Sequence, residues 1–145
     1  MDGLYSLVSR FRNAIDTAWE NDEFCKDIRF CRFPSGCCDD TCDLLGKYLE
    51  ENGCHTQQVI GTYRDGAFAD TTGHAWLLYN NSTIIDITGD QFKRNLLFLN
   101  FDKTVYIGEI STLHRMFDID QICENCDVTT NTRLLALYQI IERYL

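Results

Sequence analysis

Phe33-Pro34-Ser35-Gly36-Cys37-Cys38-Asp39-Asp40 runs directly into Thr41-Cys42-Asp43-Leu44-Leu45-Gly46-Lys47-Tyr48-Leu49-Glu50, and this junction decides how the chain is read. The first half breaks regular structure, since it holds the sole proline of the chain and a glycine two residues later. The second half places Leu44, Leu45, Tyr48 and Leu49 on one side at helical spacing, and Gly53 is the stop. A helix over 39–52 follows, with Cys37 and Cys38 at its start. A thiol there meets unpaired N–H groups and the positive end of the helix dipole. Both lower a thiol pKa from about 8.5 and favour the nucleophilic thiolate.

Outward from this junction, Leu4, Leu7, Val8, Phe11, Ile15, Ala18 and Trp19 have the spacing of a helix over 4–20, and 22–38 reads as irregular. Residues 56–63 read as a strand and 64–73 as a polar loop with two glycines. Residues 74–79 and 83–88 read as strands joined by Asn80-Asn81-Ser82, a hairpin signal. Another strand is expected over 103–110 and an amphipathic helix over 130–145. The order predicts one α+β domain over 1–145, with N-terminal helices packed on a small antiparallel sheet and a C-terminal helix.

Composition narrows the function classes. A net charge of −9 argues against nucleic acid, whose phosphates need clustered Lys and Arg, and against an anionic membrane surface. No apolar run approaches the roughly 20 residues of a membrane span. The start, Met1-Asp2-Gly3-Leu4-Tyr5-Ser6, has neither the basic nor the apolar part of a signal peptide, so a cytoplasmic location is expected. The eight cysteines are then free thiols, most of them small core residues.

Two further residues complete a chemical set. His74, in Gly73-His74-Ala75-Trp76-Leu77-Leu78, lies 36 residues past Cys38 (74 − 38), and Asp86, in Ile84-Ile85-Asp86-Ile87-Thr88, lies 12 past His74 (86 − 74). The second spacing suits neighbouring strands of a hairpin. An imidazole beside a thiol takes its proton and later protonates the leaving group, and a carboxylate on the other ring nitrogen fixes the tautomer. Asp39 and Asp40 oppose this, because nearby negative charge raises a thiol pKa. In the first turn of a helix they also complement the dipole. Each of the three has a plainer reading too: Cys38 as a structural thiol, His74 as a core histidine, Asp86 as a strand end. His55 reads as surface, and His114 has no evident partner.

The blocks Phe-Pro-Ser-Gly-Cys-Cys, Asp-Leu-Leu-Gly-Lys-Tyr-Leu, Gly-His-Ala-Trp-Leu and Ile-Ile-Asp-Ile-Thr-Gly-Asp-Gln-Phe resemble, in this order, the small bacterial papain-like and transglutaminase-like cysteine hydrolases over about residues 33–92. Gly36-Cys37-Cys38 is similar to the Gly-Ser-Cys before the active helix of papain-like enzymes. That register selects Cys38 as nucleophile, with Cys37 the alternative and Cys42 a more remote one. The superfamily includes proteases, cross-linking enzymes and toxins that deamidate glutamine. In the toxins a Gln after the Asp helps the oxyanion hole, and the resemblance implies that role for Gln91. It implies a thiol-dependent acyl-transfer enzyme acting on a protein or peptide through Cys38, His74 and Asp86, without cofactor or metal. The rivals are an inactive interaction domain of the same fold and a thiol-rich metal or redox module using Cys123 and Cys126, which form a C-x-x-C.

Overall fold

The computed structural model describes residues 2–65 and 70–145. Three helices, α1 (Asp2–Glu20), α2 (Cys38–Glu51) and α3 (Thr132–Glu142), pack on a sheet of β1 (Thr56–Asp65), β2 (Asp70–Tyr79), β3 (Thr83–Asp86), β4 (Tyr106–Gly108) and β5 (Asp118–Glu124). The spatial order is β4-β3-β2-β1-β5, and every neighbouring pair is antiparallel. The α+β expectation therefore holds. No helix among the described residues is long and apolar enough to cross a membrane.

Strand alternation divides the apolar residues between two cores. Ala75 and Leu77 of β2, with Ile85 of β3, face the helices, where they meet Leu44, Leu45 and Leu49 of α2, Phe11 and Ile15 of α1, and Leu137 and Ile141 of α3. Trp76 and Ile84 belong to a second core with Val59, Phe92, Phe98, Leu113 and Phe117. Burying each large apolar side chain contributes about 1.5–3 kcal/mol, so both cores hold the sheet from its two sides.

Several boundaries differ from the sequence reading. Most of the expected loop over 64–73 is strand, because β1 continues to Asp65 and β2 begins at Asp70; residues 66–69 lie outside the described residues. The strand over 103–110 shrinks to Tyr106–Gly108, since it pairs with only three residues of β3. β5 was hidden by its composition. Asp118-Ile119-Asp120-Gln121-Ile122 is a mostly exposed edge strand, and its charges hide the alternation while protecting an open edge. The thiols also differ from expectation: only Cys37 and Cys42 are buried, and Cys25 and Cys126 are exposed.

Candidate active site

α2 begins at Cys38, with Cys37 as its N-cap. Gly36, just before that cap, has φ +73°, a left-handed conformation that a side chain strains, so glycine suits the turn into the helix. The N–H of Thr41 returns the first bond, to Cys37 O at 2.9 Å, which leaves the preceding N–H groups of the helix start outside the ladder. The loop ahead of the helix is braced by Arg29, which donates to Gly36 O at 3.2 Å and to Asp39 at 2.7 Å. Arg133 of α3 joins Asp40 at 2.9 Å and Asp27 at 2.8 Å. Two arginines thus balance the carboxylates whose charge opposed a reactive thiol in the sequence reading.

The three candidate thiols differ in setting. Cys37 is fully buried, and burial pushes its thiol up to about 12. Cys42 is buried as well, and burial raises its thiol well above the ordinary value. Cys38 is half-buried and lines a small internal gap with Trp76, Asp86 and Thr88. A thiol sealed in the core neither ionises readily nor meets substrate, so Cys38 is the candidate that fits.

His74 and Asp86 meet as the hairpin spacing suggested. β3 pairs with β2 only from Leu77 to Tyr79, so the β2 edge at His74 is not covered by β3. There His74 Nε2 lies 2.7 Å from Asp86 Oδ2, and both side chains are essentially inaccessible, at 0% and 1% exposure. Burial alone would lower His74. The charge and hydrogen bond of Asp86 override it, the Cys38 thiol adds to the effect, and His74 is raised above the ordinary imidazole value. Burial likewise opposes the Asp86 carboxylate, yet His74 and then His114 hold it well below the usual carboxylate range. The His74 share of stability is complete below the ordinary imidazole value and fades as pH rises through the raised one. The Asp86 share is complete above the ordinary carboxylate value and fades as acid titrates the group. Their joint contribution is therefore greatest between mildly acid and neutral pH.

Gln91 is also drawn in, by its neighbours' anchors. Phe92 is buried against Phe98, and Asp90 is held by Arg12. The Gln91 amide nitrogen donates to Thr88 O at 3.0 Å and lies 3.2 Å from His74 Nδ1. Thr88 O can only accept, so it sets which end of the amide faces inward. The Gln91 amide is therefore held beside the His74 imidazole.

Three further residues of this site were not assigned to it from the sequence. His114 places Nε2 2.8 Å from the same Asp86 oxygen, and Thr88 donates its N–H to the other oxygen at 2.9 Å. Arg12 joins α1 to both halves of the site. Its guanidinium binds both oxygens of Asp90 at 2.8 and 2.9 Å, donates to Ile87 O at 2.7 Å, and lies 4.8 Å from the centre of the Phe33 ring. One signal was present for Arg12: it stands four residues after Val8 and three before Ile15, inside the apolar stripe of α1. A charged residue there needs a buried partner.

His74, Asp86 and His114 have donor atoms within 4.8 Å of one another, the one such group of three among the described residues, and Cys123 and Cys126 are not in it. Two ring nitrogens at 2.7 and 2.8 Å from one carboxylate oxygen are at hydrogen-bond distance.

No protein-family model, no curated protein and no solved structure matched this chain.

Proposed function

We propose that the protein is a thiol-dependent acyl-transfer enzyme of papain-like or transglutaminase-like type, a peptidase, amidase or glutamine deamidase. One observation carries this reading: a half-buried thiol on the first residue of a helix neighbours an imidazole whose Nε2 is bound by a buried carboxylate.

The chemistry follows from the atoms present. Cys38 and His74 form a thiolate–imidazolium pair, with the thiol's proton on Nδ1, and Asp86 stabilises the imidazolium through Nε2–H. The sulfur attacks a carbonyl carbon, and the C=O π electrons move onto the oxygen. Free N–H groups at the start of α2 stabilise that oxyanion. Protonation of Nδ1 removes the acceptor of the second Gln91 N–H, which then becomes available to the same oxyanion. Collapse to the thioester breaks the bond to the leaving amine, which takes the proton from His74. Water, deprotonated by His74, then attacks the thioester carbonyl; the C–S bond breaks, the acid leaves, and the Cys38 thiolate re-forms its pair with the protonated His74, while an amine in place of water gives transamidation.

The test is iodoacetamide labelling at pH 6, with each modified cysteine mapped by mass spectrometry. Cys38 is expected to label first by a wide margin. Equal, slow labelling of all eight thiols, or preference for another cysteine, would sink the proposal.

A groove of about 340 Å³ runs beside the site, lined by Pro34, Ser35, Asp90, Gln91, Lys93 and Arg94. Asp90 is already paired with Arg12, so the groove offers two exposed cations from a chain of net charge −9. Substrates with an acidic residue next to the acyl group are therefore expected to be preferred. Reversing both charges with Lys93→Glu and Arg94→Glu should cut kcat/KM for such peptides a few-fold, since exposed pairs contribute about 0.2–1 kcal/mol each. Cys38 labelling should not change. Equal loss on acidic and neutral peptides would remove the preference.

A further inference from the structure

We propose that His114 is a positioning residue that locks Asp86, and through it His74, into the proton-transfer geometry; this rests on the Cys38–His74 reading above. His114 is 1% exposed and opens the short 3₁₀ turn His114–Met116, 28 residues beyond Asp86. Its Nε2 is 2.8 Å from Asp86 Oδ2, the same oxygen that His74 Nε2 approaches at 2.7 Å.

Ser111 decides where the ring proton sits. The Ser111 oxygen accepts the backbone N–H of His114 at 3.2 Å and lies 2.6 Å from His114 Nδ1. A serine oxygen that accepts one N–H still has its own proton to donate, and donating it to Nδ1 leaves the imidazole proton on Nε2. That proton points at Asp86. The chain Ser111 O–H to His114 Nδ1, then His114 Nε2–H to Asp86, is directional.

The carboxylate is consequently held from every side. Oδ2 lies between two imidazoles, while Oδ1 accepts the Thr88 N–H at 2.9 Å, with the Thr88 hydroxyl at 3.4 Å. Rotation of the carboxylate would break several of these bonds in a buried setting, where no water replaces them. The His114 ring is itself fixed, edge-on to Trp76 at 4.8 Å and tilted on Tyr106 at 5.4 Å, with Phe101 at 6.0 Å. The charged or titratable groups around it are Asp86, the His74 ring at 6.2 Å and Tyr106. With one histidine the carboxylate could swing; with two, the plane of His74 is set.

The test uses the full chain with His114→Phe, His114→Gln and Ser111→Ala. Two readouts are followed: the iodoacetamide rate at Cys38, and two-bond ¹H–¹⁵N spectra that report the tautomer of each imidazole. His114→Phe keeps the ring packing and removes the donor, so the Cys38 rate at pH 6 should fall about tenfold while the fold persists. His114→Gln supplies an amide N–H₂ and should recover most of that rate. Ser111→Ala leaves the ring in place and should mix the His114 tautomers and slow Cys38 a few-fold. Wild-type rates in both His114→Phe and Ser111→Ala, or a Gln variant no better than Phe, would overturn the proposal. If the Phe variant does not fold, Ser111→Ala decides. If wild-type Cys38 shows no preference, the parent reading falls. The proposal then stands or falls on whether Ser111→Ala redistributes the His114 tautomer and alters the His74 signals.

Discussion

Cys38→Ala should reduce acyl-substrate turnover by about 10⁴-fold or more, leaving only what the oxyanion donors and binding supply. Cys38 is half-buried at a helix start, so the fold should survive. His74→Ala should abolish turnover equally, with a structural cost beside it. His74 is fully enclosed, so truncation leaves a cavity among Trp76, Phe92 and Phe117 and takes one donor from Asp86. A loss of roughly 2–4 kcal/mol in urea unfolding is expected. On the proposed mechanism the two residues serve one proton transfer, so the double variant should be little slower than either single one. Additive rate losses, or Cys38→Ala with normal turnover, would refute the shared mechanism.

Arg12→Leu is expected to be the most destabilising single change away from the chemistry, at about 3–5 kcal/mol, because it strands a buried carboxylate. Both side chains of the Arg12–Asp90 pair are under a tenth exposed, at 7% and 6%. The same change frees Ile87 O and loosens the turn that carries Gln91. Arg12→Leu combined with Asp90→Leu should cost clearly less than Arg12→Leu alone, since no orphan charge remains. Arg12→Lys should fall between wild type and Arg12→Leu, because a point charge replaces a two-pronged donor. The measurement is urea unfolding at neutral pH. A cost under about 1 kcal/mol for Arg12→Leu would show that the bridge does not anchor α1 to the site.

The sequence by itself determined the α+β class, the three helices and the strands carrying His74 and Asp86. Each of these is written in a local period, 3.6 for Leu44-Leu45-Tyr48-Leu49 and 2 for His74-Trp76, which one stretch of chain displays unaided. The meeting of His74 with Asp86 was legible too, because alternation in a short hairpin puts His74, Trp76 and Asp86 on one face of the sheet. The edge strand β5 was not, since exposure on an edge removes the apolar alternation that marks a strand. Tertiary structure alone decided the rest of the site. It separated Cys38 from Cys37 and Cys42 by burial, set Arg29 and Arg133 against Asp39 and Asp40, and turned Gln91 onto His74. It also brought Arg12 and His114, 102 residues apart (114 − 12), to opposite ends of one hydrogen-bonded loop. The physical reason is that a buried charge is satisfied by whatever donor folding brings within about 3 Å, and that proximity has no period to read along a chain.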